Sequence, residues 1–243
     1  MKALVVGGSS GIGLSIVLNL VNKKEYEQVY VLDKVEFPAE YRTEKILSVV
    51  CDLSMGDFSC LDEMSDIKSL FITAGFGHLM HFQALSEEYI RNCFSVNSVA
   101  PIQIIHHYYD RFLSGDDFYC AVMVSIAGRL SSPLFSVYSA TKAALSKFIE
   151  AVNVELDVQG SRNRILEVSP GSLKGTGFSG GASHPEMTAE LAGEIINRAT
   201  AHEELFIPQY DEVFKKVIER YEADAHRFGV ESYWYKKKRL ESK

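Results

Sequence analysis

The fold of this chain is decided near its start, by the run Ala3-Leu4-Val5-Val6-Gly7-Gly8-Ser9-Ser10-Gly11-Ile12-Gly13. The four apolar residues predict a buried strand, and the apolar spacing from Ile12 to Val21 predicts a helix directly after the glycines. Glycines let the chain turn tightly and let its backbone approach a phosphate, and a helix N-terminus offers free amide hydrogens to an anion. The sequence therefore predicts a pyrophosphate-binding turn formed by Gly7, Ser9, Ser10, Gly11, Ile12 and Gly13.

Short apolar runs alternate with longer amphipathic stretches along the rest of the chain. Unbroken apolar strands are typical of a parallel sheet covered on both faces, and the alternation of strands with helices predicts a doubly wound α/β fold. With 243 residues, 47% of them hydrophobic, the chain fits one domain, residues 1–243. We expect residues 211–243 to form an extension that packs on the body or on a neighbouring subunit. Further strands are predicted at 29–32, 46–50, 70–73, 121–124, 165–168 and 205–207, and helices at 87–112, 138–157 and 185–200.

Composition and charge argue against several classes of protein. The formal net charge is −7, which disfavours nucleic acid as the main partner. The basic run Lys236-Lys237-Lys238-Arg239 is interpreted as a solvated tail. No apolar run is long enough to span a membrane and the first residues do not resemble a secretion signal, so we expect a cytoplasmic protein.

Neither cysteine nor histidine spacing favours a metal site. The four cysteines are scattered without a Cys-x-x-Cys pair, as expected for free thiols in a reducing compartment. His78 and His81 lie in one predicted loop, and His106 and His107 are adjacent in a predicted helix. Neither pair has a convincing third ligand, so we predict no metal.

Two acids follow predicted strands and suit an adenosine group. Asp33 ends the second strand, where a carboxylate accepts hydrogen bonds from a ribose and repels a 2′-phosphate. NAD is therefore favoured over NADP, although the adjacent Lys34 could soften that preference. Asp52, followed by Leu53, is placed to hydrogen-bond the adenine. The alternatives are a turn residue at Asp33 and a helix N-cap at Asp52.

A tyrosine and a lysine, Tyr138 and Lys142, lie four residues apart on a predicted helix and therefore share one face. A phenol has a pKa of about 10, and a fixed ammonium beside it favours the phenolate and lowers that pKa toward neutrality. The pair predicts a proton-transfer group for an alcohol or a carbonyl. Taken alone, it is more typical of an amphipathic helix face with a solvated lysine.

The order of these motifs resembles the short-chain dehydrogenase/reductase family over about residues 1–210. The resemblance implies one Rossmann-like domain with a seven-stranded parallel sheet, a bound nicotinamide nucleotide, and a homodimer or homotetramer. Its substrate would be a small-molecule alcohol or ketone. The motifs that carry it are Gly7-x-x-x-Gly11-x-Gly13, Asp33, Asp52-Leu53, Ala74-Gly75, Asn97, Ser125, Tyr138-x-x-x-Lys142 and Pro170-Gly171.

The resemblance also assigns roles to individual residues. Tyr138 gives or takes the proton at the substrate oxygen, and Lys142 lowers its pKa and binds the nicotinamide ribose. Ser125 donates a hydrogen bond to the carbonyl as charge develops on it, and Asn97 holds a water in a proton relay. Cofactor contacts are implied for Ala74, Gly75, Tyr138, Lys142, Pro170, Gly171 and Thr176.

Some motif positions depart from the family pattern. Val6 replaces the usual threonine, Ile72-Thr73 replaces the usual asparagines, and Thr176 comes one residue late.

The glycine-rich stretch after the sixth strand is interpreted as a mobile substrate lid. Two other functions remain open: an NAD(P)-sensing or scaffolding relative without turnover, and a sugar-nucleotide epimerase or dehydratase. Candidate substrate contacts are Phe76, His78, His81, Ile126, Ala127, Arg129, Leu134, Phe135 and residues 172–183.

Overall fold

A single parallel sheet organises the chain in the computed structural model, which describes residues 1–179 and 182–241. Its seven strands within those residues lie in the order β3-β2-β1-β4-β5-β6-β7, and every neighbouring pair is parallel. The order reverses between β1 and β4, the point where open α/β sheets bind ligands. The doubly wound α/β fold and its seven-stranded parallel sheet are therefore confirmed. The strands are β1 Lys2–Val6, β2 Gln28–Asp33, β3 Ile46–Val50, β4 Ser69–Ile72, β5 Tyr119–Met123, β6 Ile165–Val168 and β7 Leu205–Phe206.

Helices cover both faces of this sheet and bury two apolar layers. α1 (Gly11–Val21) and α6 (Ala189–Thr200) pack together on one face. α3 (Ala100–His107) and α5 (Ser136–Val158) contribute to the core on the other face. The strands are buried on both sides, which is why their sequences show apolar runs rather than alternation.

The helical stretches predicted over 87–112 form one helical path in several pieces. It comprises α2 (Glu87–Phe94), a π-helical stretch (Ser95–Val99), α3, and α4 (Tyr109–Leu113). Pro101 supplies one cause, because proline has no N–H to donate to the carbonyl four residues earlier, that of Asn97. Single π-helical turns inside α-helices are frequent at functional sites.

The residues after β7 pack on the body of the same chain. A π-helical turn (Tyr210–Phe214) leads into α7 (Lys215–Ala223) and α8 (Ala225–Glu241). The Phe214 ring lies so close to Gly171 that a Cβ there would be 2.3 Å from it. Among the described residues, no helix is both long and apolar enough to cross a bilayer.

Candidate active site

The glycine turn after β1 is shaped by close backbone approaches. Gly7 has φ +84°, and a Cβ on it would lie 2.5 Å from the amide nitrogen of Ala74. A Cβ on Gly13 would lie 2.0 Å from the carbonyl oxygen of Gly7. Side chains at these two positions would therefore force apart β1, α1 and the end of β4, as expected for a turn that brings backbone against a phosphate.

Thr73 ties the end of β4 to the glycine turn. Its Oγ1 donates to the carbonyls of Val6 and Gly7, each at 3.0 Å. The backbone amides of Thr73 and Ala74 also converge on the Val6 carbonyl, which ends β4 at Ile72 rather than at the predicted residue 73. A hydroxyl thus makes the connection between strand and turn at the position where the family pattern has asparagine.

Asp33 lies beside the glycine turn, at the end of β2. Its Oδ2 accepts a hydrogen bond from the Ser9 amide at 2.9 Å, and its Oδ1 accepts one from the Val35 amide at 3.3 Å. The Ser9 hydroxyl donates to the Val35 carbonyl at 3.2 Å. The carboxylate is therefore held at the carboxyl edge of the sheet, next to the turn.

Asp52 caps the short 3-10 helix Leu53–Met55. Its Oδ1 accepts from the Ser54 amide at 2.9 Å and from the Ser54 hydroxyl at 2.7 Å, and these bonds lower the pKa of Asp52. The N-cap alternative raised by the sequence is therefore what the structure shows for this oxygen, and Leu53 is buried beneath it.

Tyr138 and Lys142 both point inward from the first turns of α5. Tyr138 is 7% exposed and Lys142 is 2% exposed. Lys142 Nζ donates to the carbonyl of Met123 at 2.7 Å and lies 5.9 Å from the centroid of the Tyr138 ring. The alternative of a solvated lysine on an exposed helix face is therefore wrong.

The ionisation of this pair differs from the sequence prediction. Burial raises the pKa of Tyr138 to about 12, while hydrogen bonding with Ser125 acts in the opposite direction. Burial also lowers the pKa of Lys142 to about 8. The expected net lowering of the Tyr138 pKa by Lys142 is therefore not found, because loss of solvent disfavours both charged forms.

Ser125 follows β5 and connects it to the end of β6. Its Oγ accepts from the Ala127 amide at 3.1 Å and donates to the Pro170 carbonyl at 3.5 Å. The same carbonyl accepts from the Ile126 amide at 3.0 Å. These bonds hold the Ser125 hydroxyl next to Tyr138, where the family resemblance expects it.

Asn97 lies in the π-helical stretch and is fully buried. Its Nδ2 donates to the Phe76 carbonyl at 2.8 Å and to Thr141 Oγ1 at 3.1 Å, while its Oδ1 accepts from the Phe76 amide at 2.9 Å. A Cβ on Gly75 would lie 3.2 Å from Asn97 Oδ1 and 3.3 Å from Lys142 Nζ. Asn97 therefore joins the turn after β4 to the helix that carries Tyr138 and Lys142.

The glycine-rich segment after β6 covers this edge of the sheet. The Gly11 amide donates to Ser183 Oγ at 2.7 Å, and a Cβ on Gly11 would lie 3.5 Å from Thr176 Cβ. Thr176 thus lies over the N-terminus of α1. Two glycines of the proposed lid, at 180 and 181, lie outside the described residues.

A comparison with known families identifies the chain. The short chain dehydrogenase family model matches residues 1–187. The chain belongs to the short-chain dehydrogenase family.

Relatives and solved structures resemble this short-chain dehydrogenase at low identity. An uncharacterized oxidoreductase of Saccharomyces cerevisiae, TDA5, is 29% identical over 186 residues, which cover 73% of this chain and 56% of that protein. The chain thus spans little more than half the length of this yeast relative.

Two solved structures share the fold. A 4-hydroxyisoleucine dehydrogenase complexed with NADH and succinate has a TM-score of 0.69 at 21% identity, covering 84% of this chain and 96% of its own. A short chain dehydrogenase from Burkholderia cenocepacia in complex with NADP has a TM-score of 0.71 at 18% identity, covering 90% and 96%.

Several side chains around the family motifs were not singled out by the sequence analysis. Phe178 lies 5.2 Å from Tyr138 between ring centroids, and the predicted substrate contact Phe135 lies 5.0 Å from it. Thr141 bonds Asn97, and Phe214 covers Gly171. Phe178 falls within the predicted lid, but no spacing rule indicates that its ring contacts a tyrosine 40 positions earlier.

The charged and imidazole candidates for substrate contact have other partners. Arg129 Nη2 lies 2.7 Å from Oε1 of Glu167, a carboxylate on β6 that is 5% exposed. The ring of His78 packs against those of Phe76 and Tyr89, and His81 packs against Tyr233. Within the described ranges, no group of three or more potential metal-ligating side chains is close enough to hold a metal ion.

Proposed function

We propose that this chain is an NAD(P)-dependent oxidoreductase that interconverts a secondary alcohol and a ketone by hydride transfer. The observation that carries the proposal is the burial of Tyr138 beside Ser125 and Lys142 at the carboxyl edge of the sheet. A cleft at this edge is where open α/β folds bind ligands. The four residues Asn97, Ser125, Tyr138 and Lys142 are proposed as its catalytic group.

Tyr138 is proposed as the proton donor and acceptor at the substrate oxygen. Because burial holds its pKa near 12, the phenol stays protonated at neutral pH and is ready to donate to a carbonyl oxygen. Ser125 donates a second hydrogen bond as negative charge grows on that oxygen. Loss of a proton from Tyr138, required for alcohol oxidation, is favoured by a positive charge nearby, which Lys142 supplies while it is protonated.

The residues at the glycine turn fit a nicotinamide dinucleotide. Gly7 and Gly13 keep the backbone open, α1 presents its N-terminus, and Asp33 stands beside Ser9 to accept ribose hydroxyls. When bound, the cofactor supplies or accepts the hydride. The carboxylate of Asp33 favours NAD over NADP, and solved structures of the fold with each cofactor support the class of nucleotide.

The segment after β6 would have to shift for the pyrophosphate. Ser183 Oγ accepts from the Gly11 amide at 2.7 Å, which is a group expected to face a phosphate oxygen. We propose that the dinucleotide displaces this hydroxyl and that Thr176, which lies over the same turn, then contacts the cofactor. The remaining proposed cofactor contacts are Ser10, Ile12, Asp52, Leu53, Ala74, Gly75, Pro170 and Gly171.

Asn97 is proposed to serve the proton relay through its backbone. Its side chain is committed to Phe76 and Thr141, but Pro101 cannot donate to its carbonyl. That carbonyl is therefore the group best suited to accept a hydrogen bond from a relay water.

The substitution Tyr138→Phe tests the function. We expect the rate of ketone reduction to fall roughly 10²- to 10⁴-fold because the ring loses its transferable proton, while cofactor affinity falls far less than the rate. The measurement is reduced-cofactor absorbance across a screen of ketones and alcohols, with calorimetry for NAD binding. Tyr221→Phe, on α7, is the matched control. Less than threefold loss of turnover in Tyr138→Phe would refute the mechanism.

Three broader expectations remain proposals. The chain is proposed to act as one nucleotide-binding domain with residues 211–243 as an extension, supported by the contact of Phe214 with Gly171. We further propose a homodimer or homotetramer and a cytoplasmic location, supported by the family and by the reduced cysteines of the sequence.

A further inference from the structure

An open groove of about 500 Å³ separates α8 from the loop that precedes α5. One wall is formed by Ser131 and Pro133, and the other by one face of α8. The α8 face contributes Gly229, Val230, Tyr233 and Trp234. A groove lined mainly by apolar and aromatic residues is typical of a site for an apolar small molecule.

The same helix face continues to a cation, Lys236. It follows Gly229 and Tyr233 at helical spacing, and its Nζ donates to Ser132 Oγ at 2.5 Å. Within residues 1–179 and 182–241, no carboxylate lies within ion-pair distance of Nζ. Burial lowers the pKa of Lys236 to about 8, because its charge is not compensated.

The neighbouring lysine, Lys237, differs from Lys236 because it has a carboxylate partner. Lys237 Nζ lies 3.7 Å from Glu241 and 5.2 Å from the Trp234 ring centroid. The sequence interpretation of residues 236–239 as a solvated tail is therefore wrong for Lys236, which is partly buried against the body. A partly buried ammonium that contacts a hydroxyl and, in the described part of the chain, no carboxylate is complementary to an anion.

One loop connects this groove to the candidate active site. Its residues Ser131 and Pro133 line the groove, and Phe135, two positions after Pro133, packs on Tyr138. The loop is fixed by a hydrogen bond from the Met80 amide to the Leu134 carbonyl at 2.9 Å. Leu134 has φ +63°, a conformation that non-glycine residues adopt only where surrounding structure enforces it.

We propose that the groove binds the far end of the substrate, an apolar chain or ring that ends in a carboxylate held by Lys236 and Ser132. This inference rests on the proposed oxidoreductase function and names its substrate class, a hydroxy acid or keto acid with an apolar body. Arg129 does not compete for this role, since Glu167 neutralises it. The aromatic side chains that line the groove face the apolar body, and the loop of residues 131–135 leads from there to Tyr138.

Trp234 gives a direct readout, because it is the only tryptophan of the chain and it lines the groove. The probes are decanoate and its neutral methyl ester, titrated against tryptophan fluorescence. We expect decanoate to change the signal saturably and to bind at least about tenfold tighter than the ester, in line with one charge-assisted hydrogen bond. Equal affinity for acid and ester would overturn the proposal.

Two variants isolate the charge. Lys236→Met should weaken decanoate binding about tenfold or more, and Lys236→Arg should retain it. Lys238→Met is the matched control, since it removes an exposed lysine two positions further along α8. Thermal unfolding establishes that each variant is folded. Unchanged decanoate affinity in Lys236→Met, or an equal loss in Lys238→Met, would contradict the assignment.

Steady-state kinetics distinguish a failure of this substrate assignment from a failure of the proposed oxidoreductase function. With 9-oxodecanoate as substrate, whose ketone lies at the end of the apolar chain opposite the carboxylate, Lys236→Met should raise KM about tenfold and leave kcat near wild type. The methyl ester should show no such change. Wild-type KM in Lys236→Met would overturn the substrate assignment even if decanoate binds. Saturable decanoate binding without turnover of any ketone would instead refute the oxidoreductase function, and the groove would stand only as a binding site for a carboxylate.

Discussion

The side-chain amide of Asn97 makes hydrogen bonds to both the carbonyl and the amide of Phe76. Nδ2 donates to the Phe76 carbonyl at 2.8 Å and Oδ1 accepts from the Phe76 amide at 2.9 Å. The turn after β4 is thereby fixed to the π-helical stretch between α2 and α3. Because Asn97 also bonds Thr141 on α5, one amide group positions three elements of the candidate site.

Replacement of Asn97 by alanine should therefore cost stability and turnover together. Both backbone groups of Phe76 would lose their partner, at about 1–3 kcal/mol in the free energy of unfolding. Urea denaturation measures this change. The control is Asn22→Ala, an exposed asparagine that bonds only within its own helix, with an expected effect within about 0.5 kcal/mol. Equal effects at the two positions would show that the hydrogen bonds of Asn97 to Phe76 do not contribute to the free energy of unfolding.

Lys142 should lower the free energy of unfolding at neutral pH. Burial lowers its pKa from the usual 10.5 to about 8, so the unfolded chain binds the proton more tightly than the folded chain between these values. Lys142→Met should raise the free energy of unfolding at pH 7 by about 1–3 kcal/mol while abolishing activity.

The pH dependence provides the check on this assignment. The stability of the wild type should rise as pH increases from about 8 to 10.5, since its buried lysine deprotonates first in the folded state. The advantage of Lys142→Met should shrink over the same interval. A constant difference between pH 7 and pH 10 would mean that folding does not lower the pKa of Lys142.

Asp33 should set the preference between the two nicotinamide nucleotides. Asp33→Asn keeps a side-chain oxygen for the Ser9 amide but removes the charge that repels a 2′-phosphate. We expect the affinity for NADP relative to NAD to increase about tenfold, equivalent to about 1.4 kcal/mol. Calorimetric titration of each nucleotide measures the ratio. Tighter binding of NADP than NAD by the wild type would contradict the role of Asp33.

Arg129 and Glu167 should behave as a coupled pair. The Glu167 carboxylate is nearly buried and also accepts from the hydroxyls of Ser146 and Ser169, at 2.8 and 2.7 Å. Arg129→Met leaves that charge without its cation and should destabilise the fold by about 2–3 kcal/mol, less than for a fully buried pair because Arg129 is one-third exposed.

A second substitution tests the coupling directly. Glu167→Gln in the Arg129→Met background should recover part of the loss, since the uncompensated charge is then absent. Denaturant unfolding of the four proteins completes the cycle. Strict additivity of the two substitutions would show that the ion pair contributes no coupling energy.

Much of the fold follows from local patterns in the sequence. The apolar runs that lead to β1 through β6 are long enough, and the glycine turn specific enough, that the order of strands and helices was predicted to within a few residues. Errors lie at element ends, as at Thr73, where side-chain and backbone hydrogen bonds to another strand end β4. The bounds of the helical pieces before β5, and the π-helical turn among them, were not predicted, although Pro101 is a visible cause of one break.

The candidate site was only partly accessible to the same reasoning. Spacing alone paired Tyr138 with Lys142, and the family resemblance added Ser125 and Asn97 to form a group. Their ionisation was predicted incorrectly, because the pKa of a phenol depends on how much solvent the fold removes, and helical spacing carries no information on that.

What the sequence by itself determined is the set of elements, their order, and the side chains that share a face within one element. Only the tertiary structure decided which distant groups meet: Asn97 with Phe76, Arg129 with Glu167, and Lys236 with Ser132. The physical reason is that periodicity reports neighbours along one helix or strand. Contacts between elements depend on packing and on which charges burial leaves without a partner.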